Sequence, residues 1–384
     1  MRICVAYDCL YPYTVGGAER WYRNVAERLA RAGHEVTFVT LRQWRTDERP
    51  ELPGVDVVAV GPRMHLYTES GRRRILPPFV FGLGVLWHLI AGRRRYDVVH
   101  MASFPYFSVL AAALARPLRR FGLVVDWHEV WTRRYWDEYL GALGRVGWAV
   151  QMICARVSHR AFCFSALHAE RLRAEGFRGE LTVLHGQYEP RDHPLPQPAG
   201  EVRPVVVFAG RHIPEKRAPA VVPAVAAARR DWPELRAAIY GDGPERPEVE
   251  RLVRSLGLEE VVATPGFATG PELSEALAHA TCMILPSRRE GYGRIVIEAA
   301  SVGTPSIVVA DEDNAATELV DEGVNGFIAP SAAPGDLAAA IIRVRDAGQA
   351  LRAATADWFA RNEQRLSLEA SLDQVTTSYS NSSS

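Results

Sequence analysis

Cys282-Met283-Ile284-Leu285-Pro286-Ser287-Arg288-Arg289-Glu290-Gly291-Tyr292-Gly293-Arg294-Ile295-Val296-Ile297-Glu298-Ala299 reads as a strand, a glycine-punctuated turn and a helix. Cys282 to Leu285 is an apolar run of strand length. Gly291 and Gly293 permit close backbone approach, and the helix that begins near Gly293 would present free N–H groups and its positive dipole end to a phosphate. Glu290 stands in the loop, and Glu298 lies about five residues into the helix, roughly 7 Å along its axis. That separation suits one nucleotide sugar, with its diphosphate at the helix tip, its ribose hydroxyls on Glu298 and its sugar hydroxyls on Glu290. Two glutamates eight apart are, taken alone, more often solvent-facing charges. The strand, the Gly-x-Gly turn, the helix and the spacing together carry the reading.

Upstream, the strand Val205 to Ala209 leads directly into Gly210-Arg211-His212-Ile213-Pro214-Glu215-Lys216. In a doubly wound sheet, ligands bind off the carboxyl ends of strands. Arg211 and Lys216 can there place two cations on one anionic group; a solvated basic loop is the alternative. Further strands are expected at Ala237 to Tyr240, Val261 to Thr264, Cys282 to Leu285 and Ser306 to Val309, with helical patterns between them. The N-terminal half alternates in the same way, with strands at Ile3 to Tyr7, Val36 to Thr40, Val55 to Val60, Val98 to His100 and Val124 to Trp127. Such alternation predicts βαβ units and parallel sheets. The expected organisation is a domain over 1–185, a proline-rich linker over 186–204, a second domain over 205–355, a C-terminal helix over 356–375 packing back on the first domain, and a disordered Ser/Thr-rich tail over 376–384.

The chain has 384 residues and zero formal net charge, so a nucleic-acid binder, which usually carries a basic excess, is not expected. Five scattered cysteines form neither a C-x-x-C pair nor an even set, which predicts reduced thiols in a cytoplasmic setting. Met1 to Asp8 shows no secretory signal. Ile75 to Gly92, between Arg72-Arg73-Arg74 and Arg93-Arg94-Arg95, barely reaches spanning length and contains two prolines and two glycines. It reads as a buried helix, with peripheral membrane contact through the two arginine triplets, at the inner membrane face, as the second option.

The run Gly210 to Lys216, Gly241-Asp242-Gly243-Pro244, Pro265-Gly266-Phe267, Glu290-x7-Glu298, Gly303-x-Pro305 and Gly323-x-Asn325-Gly326 resembles, in that order, the retaining glycosyltransferases of family 4. The N-terminal half matches more loosely, through Gly16-Gly17-Ala18-Glu19-Arg20, Asp97-Val98-Val99-His100, His128-Glu129 and Ser165. The resemblance implies the α/β GT-B architecture: two Rossmann-like domains with parallel sheets facing each other across a cleft, the donor on the C-terminal side and the acceptor on the N-terminal side. It implies that Arg211 and Lys216 hold the donor diphosphate, Glu298 the ribose and Glu290 the donor sugar. Gly291, Tyr292, Gly293, Arg294, Phe267 and Gly243 complete the implied donor site. Gly16, Gly17 and Glu19 form the acceptor and phosphate loop, and His128 reaches the sugar from the acceptor side. A lone histidine is more often a core residue; the place of His128 after a strand and the resemblance favour the site. Where many relatives carry an apolar residue this chain has Arg294, read as facing solvent rather than as a third cation.

The implied reaction moves a hexose-type sugar from a nucleotide diphosphate to an acceptor hydroxyl by front-face attack. No cofactor and no metal is expected, because cations of the protein serve the leaving group. Asp311-Glu312-Asp313 imitates a metal-binding Asp-x-Asp in what reads as an exposed loop. A sugar-nucleotide epimerase, a phosphorylase of the same fold and a catalytically silent sugar-nucleotide-binding subunit are the competing readings.

Overall fold

The computed structural model describes residues 1–45, 47–48, 50–68, 73–189 and 202–380. The chain forms two compact units: Met1–Leu184 together with the chain from Ser371 onward, and His185–Ala370. The first holds seven parallel strands, β1 (Arg2–Ala6), β2 (Glu35–Thr40), β3 (Val55–Ala59), β4 (Val98–Ala102), β5 (Gly122–Trp127), β6 (Arg160–Cys163) and β7 (Leu181–Val183). They lie in the order β3-β2-β1-β4-β5-β6-β7. Helices α1 (Gly17–Arg31), α2 (Leu76–Ala91), α3 (Phe107–Arg119), α4 (Arg133–Leu140), α5 (Gly144–Arg156) and α6 (Ala166–Ala174) connect them. β4 is buried along its whole length, as a parallel strand covered on both faces should be.

The second unit repeats the plan with β8 (Arg203–Ala209), β9 (Arg236–Tyr240), β10 (Val262–Gly266), β11 (Ala280–Leu285), the two-residue β12 (Arg289–Glu290), β13 (Ser306–Val309), the two-residue β14 (Asp313–Asn314) and β15 (Gly326–Ala329). The main sheet runs β10-β9-β8-β11-β13-β15, and β12 pairs with β14. Its helices are α7 (Val221–Ala228), α8 (Arg246–Ser255), α9 (Gly270–His279), α10 (Arg294–Ala300) and α11 (Pro334–Leu366); α12 (Leu368–Ser380) follows. Thr269 and Glu272 close a reciprocal capping box on α9.

Two expectations change. The linker's residues 190–201 lie outside the described residues, but its last residues, Arg203 and Pro204, already belong to β8. A proline cannot donate to a ladder, and pairing between β8 and β11 is irregular there, passing from Arg203 to Val206. The tail expected from Thr376 is helical as far as Ser380. Leu372, Val375 and Tyr379 fall at helical spacing beneath the serines and threonines and are buried. Residues 381–384 lie outside the described residues.

Ile75 to Gly92 forms α2, whose Phe81, Val85 and Leu89 are buried. Gly82 and Gly84 set how closely it packs: a Cβ on Gly82 would come within 2.6 Å of Phe107, and one on Gly84 within 2.1 Å of the Val60 carbonyl. Among the described residues no helix is long and apolar enough to cross a membrane.

Candidate active site

The second unit gathers most of the expected site residues at the carboxyl ends of β8 and β11, where its strand order reverses. After β8, the Lys216 N–H donates to the Ile213 carbonyl at 2.9 Å, which folds the loop back on itself. Lys216 Nζ then reaches Glu290 Oε1 at 2.5 Å. Glu290 is buried and also accepts from the Ser287 hydroxyl at 2.8 Å. The Arg288 N–H donates to the Glu215 carbonyl at 2.8 Å, so the loop after β8 and the loop after β11 are joined by backbone as well as by charge. Asn314 completes the support: its amide donates to the carbonyls of Ser287 at 3.1 Å and Val309 at 2.8 Å. Ser287, Asn314 and Glu215 were not singled out in the sequence. Asn314 carried no local signal, since it meets Ser287 only through the β12–β14 pairing.

Gly241 and Gly243 act as scaffolding for that loop. Their φ angles are +114° and +151°, and a Cβ on Gly241 would lie 1.9 Å from the Gly210 carbonyl oxygen. One on Gly243 would lie 2.6 Å from that of His212. The His212 N–H donates to the Asp242 carbonyl at 2.8 Å, and the Glu245 N–H to the His212 carbonyl at 2.9 Å. The Gly241-Asp242-Gly243 turn therefore holds the backbone carrying Arg211 and Lys216.

Arg211 itself is exposed, whereas Lys216 is engaged by Glu290, so the two expected diphosphate cations differ in their surroundings. Gly293 caps α10 at φ +95°, and a Cβ there would lie 2.6 Å from that of Ala316. α10 is seven residues long, with Glu298 on its second turn. Arg294 does not simply face solvent: its Nε lies 2.9 Å from Glu298 Oε1, one turn along the helix. Tyr292 is buried with its hydroxyl donating to the His185 carbonyl, so its side chain is committed to the fold. Gly291 falls in the turn before it, and Phe267, just beyond β10, is 78% exposed. The Asp-x-Asp imitation is not an exposed loop throughout. Asp311 pairs with Arg217 at 3.2 Å, and Asp313 is buried in β14. Among the described residues, no group of three or more His, Cys, Asp or Glu is placed to hold a metal ion.

In the first unit, Gly16 and Gly17 start α1 beyond β1, and Glu19 on its first turn is buried. A Cβ on Gly17 would meet nothing within 4 Å, whereas one on Gly16 would lie 2.3 Å from the Glu19 carboxylate. His128 follows β5. It stacks on Phe164 with ring centres 4.4 Å apart and meets Tyr22 edge-on at 5.8 Å. Its Nε2 has no hydrogen-bond partner among the described residues. Burial lowers its pKa, against the pull of Asp126 and Glu129, so the ring is held neutral near pH 7.

Asp126 anchors that region. It accepts from Trp21 Nε1 and from His100 Nε2, each at 2.7 Å. Burial pushes its carboxyl up, but the charge and hydrogen bond of His100 outweigh this and hold it below the usual range. His100 Nδ1 in turn meets the Tyr379 hydroxyl at 2.5 Å, which ties α12 to the sheet.

Two Rossmann-like units, with Glu290, Glu298, Arg211 and Lys216 gathered at the strand-order reversal of the second, fit an enzyme of the glycosyltransferase class. Models of known families match both halves: "Glycosyltransferase Family 4" over residues 15–186 and "Glycosyl transferases group 1" over residues 203–346. The chain belongs to the family 4 glycosyltransferases. It is 26% identical over 290 residues to alpha-D-kanosaminyltransferase of Streptomyces kanamyceticus, covering 75% of this chain and 69% of that one. Its fold is that of sucrose-phosphate synthase from Thermosynechococcus elongatus, with a TM-score of 0.79, 19% identity, and 99% and 98% of the two chains covered. It is also that of Anabaena HepE, solved in complex with UDP-glucose, with a TM-score of 0.73, 19% identity, and 99% and 100% covered. These neighbours share the GT-B architecture.

Proposed function

We propose that this glycosyltransferase moves a hexose-type sugar from a nucleotide diphosphate to an acceptor hydroxyl with retention of configuration. The observation that carries the reading is the meeting of Lys216 and Glu290, 74 residues apart, at the carboxyl edge of the second sheet, with Glu298 on the helix that follows. The UDP-glucose held by HepE makes a nucleotide sugar the natural donor for this fold.

In the proposed reaction the diphosphate lies between Lys216 and Arg211, and their charges stabilise the leaving group as its bond to the sugar breaks. Glu298 binds the ribose hydroxyls, held in place by Arg294. Glu290, oriented by Ser287, binds the sugar hydroxyls, and a donor diphosphate would draw Lys216 away from it. The acceptor binds beside Gly17 on the first unit, where His128 offers a neutral ring with an unused Nε2. Its hydroxyl enters on the face from which the diphosphate departs, and a phosphate oxygen takes its proton. Positioning and electrostatics do the catalysis, with no covalent enzyme intermediate. No metal is needed in this reading, because Asp311 and Asp313 are engaged by the fold and the cations are side chains. The five buried, unpaired thiols suit a reducing, cytoplasmic compartment.

The test is a binding and product experiment. Calorimetry with UDP, GDP, ADP and dTDP in EDTA should find one nucleotide that binds without divalent ions. The glycoside formed from its sugar conjugate should keep the donor's anomeric configuration by NMR. A product of inverted configuration, or binding that appears only with divalent metal, would overturn the reading.

A further inference from the structure

The outward side of α2 is apolar along its whole length. Its exposed positions Leu76, Phe79, Leu83 and Trp87 recur every three to four residues, and Trp87 and Leu83 are 75% and 68% exposed. A helix of a water-soluble domain ordinarily turns charged residues outward. Neighbouring α3 does the same with Leu114 and Leu118. α5 exposes Val146 and Ile153, and its Cys154 Sγ meets the carbonyl of Tyr106, the residue just before α3, at 3.5 Å. α2 and α3 pack side by side, and exposed apolar surface shared by two packed helices marks a docking site.

Charge decides what docks there. Residues 70–96, 98–125 and 139–169 contain no Asp or Glu and carry twelve arginines, in a chain whose net charge is zero. α2 and α3 both cross between parallel strands, so they run in the same direction and end together. Arg119 bridges those ends by donating to the carbonyls of Ile90 and Gly92. Exposed Arg93, Arg95 and Arg120 lie at that end, and among the described residues no carboxylate pairs with any of them. The first triplet is a different case. Arg73 is nearly buried and forms an ion pair with Asp8, while Arg72 lies outside the described residues.

We propose that the α2–α3 face of the first unit seats on an anionic phospholipid surface. Leu83, Trp87, Leu114 and Leu118 enter the interfacial layer, and Arg93, Arg95 and Arg120 meet the headgroups. The face lies on helices that carry none of the proposed donor or acceptor residues, so the proposal stands apart from the reading of the active site.

Flotation of the full chain with vesicles tests it. Binding is expected to mixed phosphatidylglycerol and phosphatidylcholine vesicles, to weaken with added salt, and to be far lower on phosphatidylcholine alone. Leu83→Ser with Trp87→Ser should reduce it without lowering the melting temperature, since the buried residues of α2 are untouched. Neutralising Arg93, Arg95 and Arg120 to Gln should weaken it about fivefold for each side chain. Absence of binding to either vesicle would overturn the proposal, as would anionic binding that both variants leave unchanged. Concentration-dependent self-association abolished by the serine variant, without vesicle binding, would assign the face to a second copy instead.

Discussion

Lys216 and Glu290 form the tightest charged contact of the proposed donor site, Nζ to Oε1 at 2.5 Å, with Lys216 only partly exposed and Glu290 buried. The pair explains why two loops so distant in sequence keep one geometry. It also means that a diphosphate must compete with Glu290 for the ammonium group.

Lys216→Met should lower turnover about a hundredfold, the effect of losing a preorganised charge from a leaving group. It should also lower stability, because Glu290 would stay buried with Ser287 as its remaining described partner. A loss of about 1.5–3 kcal/mol is expected. Adding Glu290→Gln should recover much of the stability and none of the turnover. Denaturant unfolding and initial rates on the single and double variants check this.

Arg294 is expected to act through Glu298. Arg294→Met should weaken nucleotide binding less than Glu298→Gln does, and in the Glu298→Gln background it should add little. Calorimetry on the three variants reads the coupling; fully additive losses would mean that the 2.9 Å pair is incidental.

Acid should destabilise the first unit through His159. Burial lowers its pKa to about 4, and its Nε2 accepts from Trp127 Nε1 at 3.1 Å, which requires a neutral ring. The unfolded chain binds that proton near pH 6.5, so stability is full above that value and declines as pH falls towards 4. The decline is worth about 3 kcal/mol at 1.36 kcal/mol per pKa unit. His159→Gln should flatten the slope of unfolding free energy between pH 6.5 and 4; an unchanged slope would assign the effect to other histidines.

Tyr379→Phe leaves His100 Nδ1 buried without its hydroxyl partner. A loss of about 1–3 kcal/mol is expected, measured by thermal unfolding. Wild-type stability in this variant would mean that α12 is held by its apolar contacts and by the Arg28–Asp373 and Arg160–Ser378 contacts, without the Tyr379 hydroxyl.

The strands were legible in the sequence because buried parallel strands read as continuous apolar runs, as β4 and β11 do. β7 has only three residues, and β15 begins at Gly326, inside the Gly323-x-Asn325-Gly326 turn motif, so neither stood out as a strand. The helical character of Thr376 to Ser380 was masked by composition, since its apolar contribution comes from single residues such as Tyr379. In the site, Glu290, Glu298, Arg211 and Lys216 stood out through their place after strands. Their partners did not: Asn314 reaches Ser287 from another strand, and the Lys216–Glu290 pair depends on two loops meeting in space. The Arg294–Glu298 pair was accessible from spacing alone, as an i, i+4 contact, and the reading towards solvent overlooked it.

The division of labour between the two glutamates is the centre of this account, and calorimetry with the nucleoside diphosphate and with the intact nucleotide sugar tests it most directly. With ribose on Glu298, Glu298→Gln should weaken both ligands ten- to hundredfold, as loss of a charge-assisted hydrogen bond of about 1.5–3 kcal/mol requires. With only the sugar on Glu290, Glu290→Gln should leave the affinity for the free diphosphate nearly unchanged while lowering turnover of the full donor. Equal losses of nucleoside diphosphate affinity in the two variants would contradict the proposed orientation.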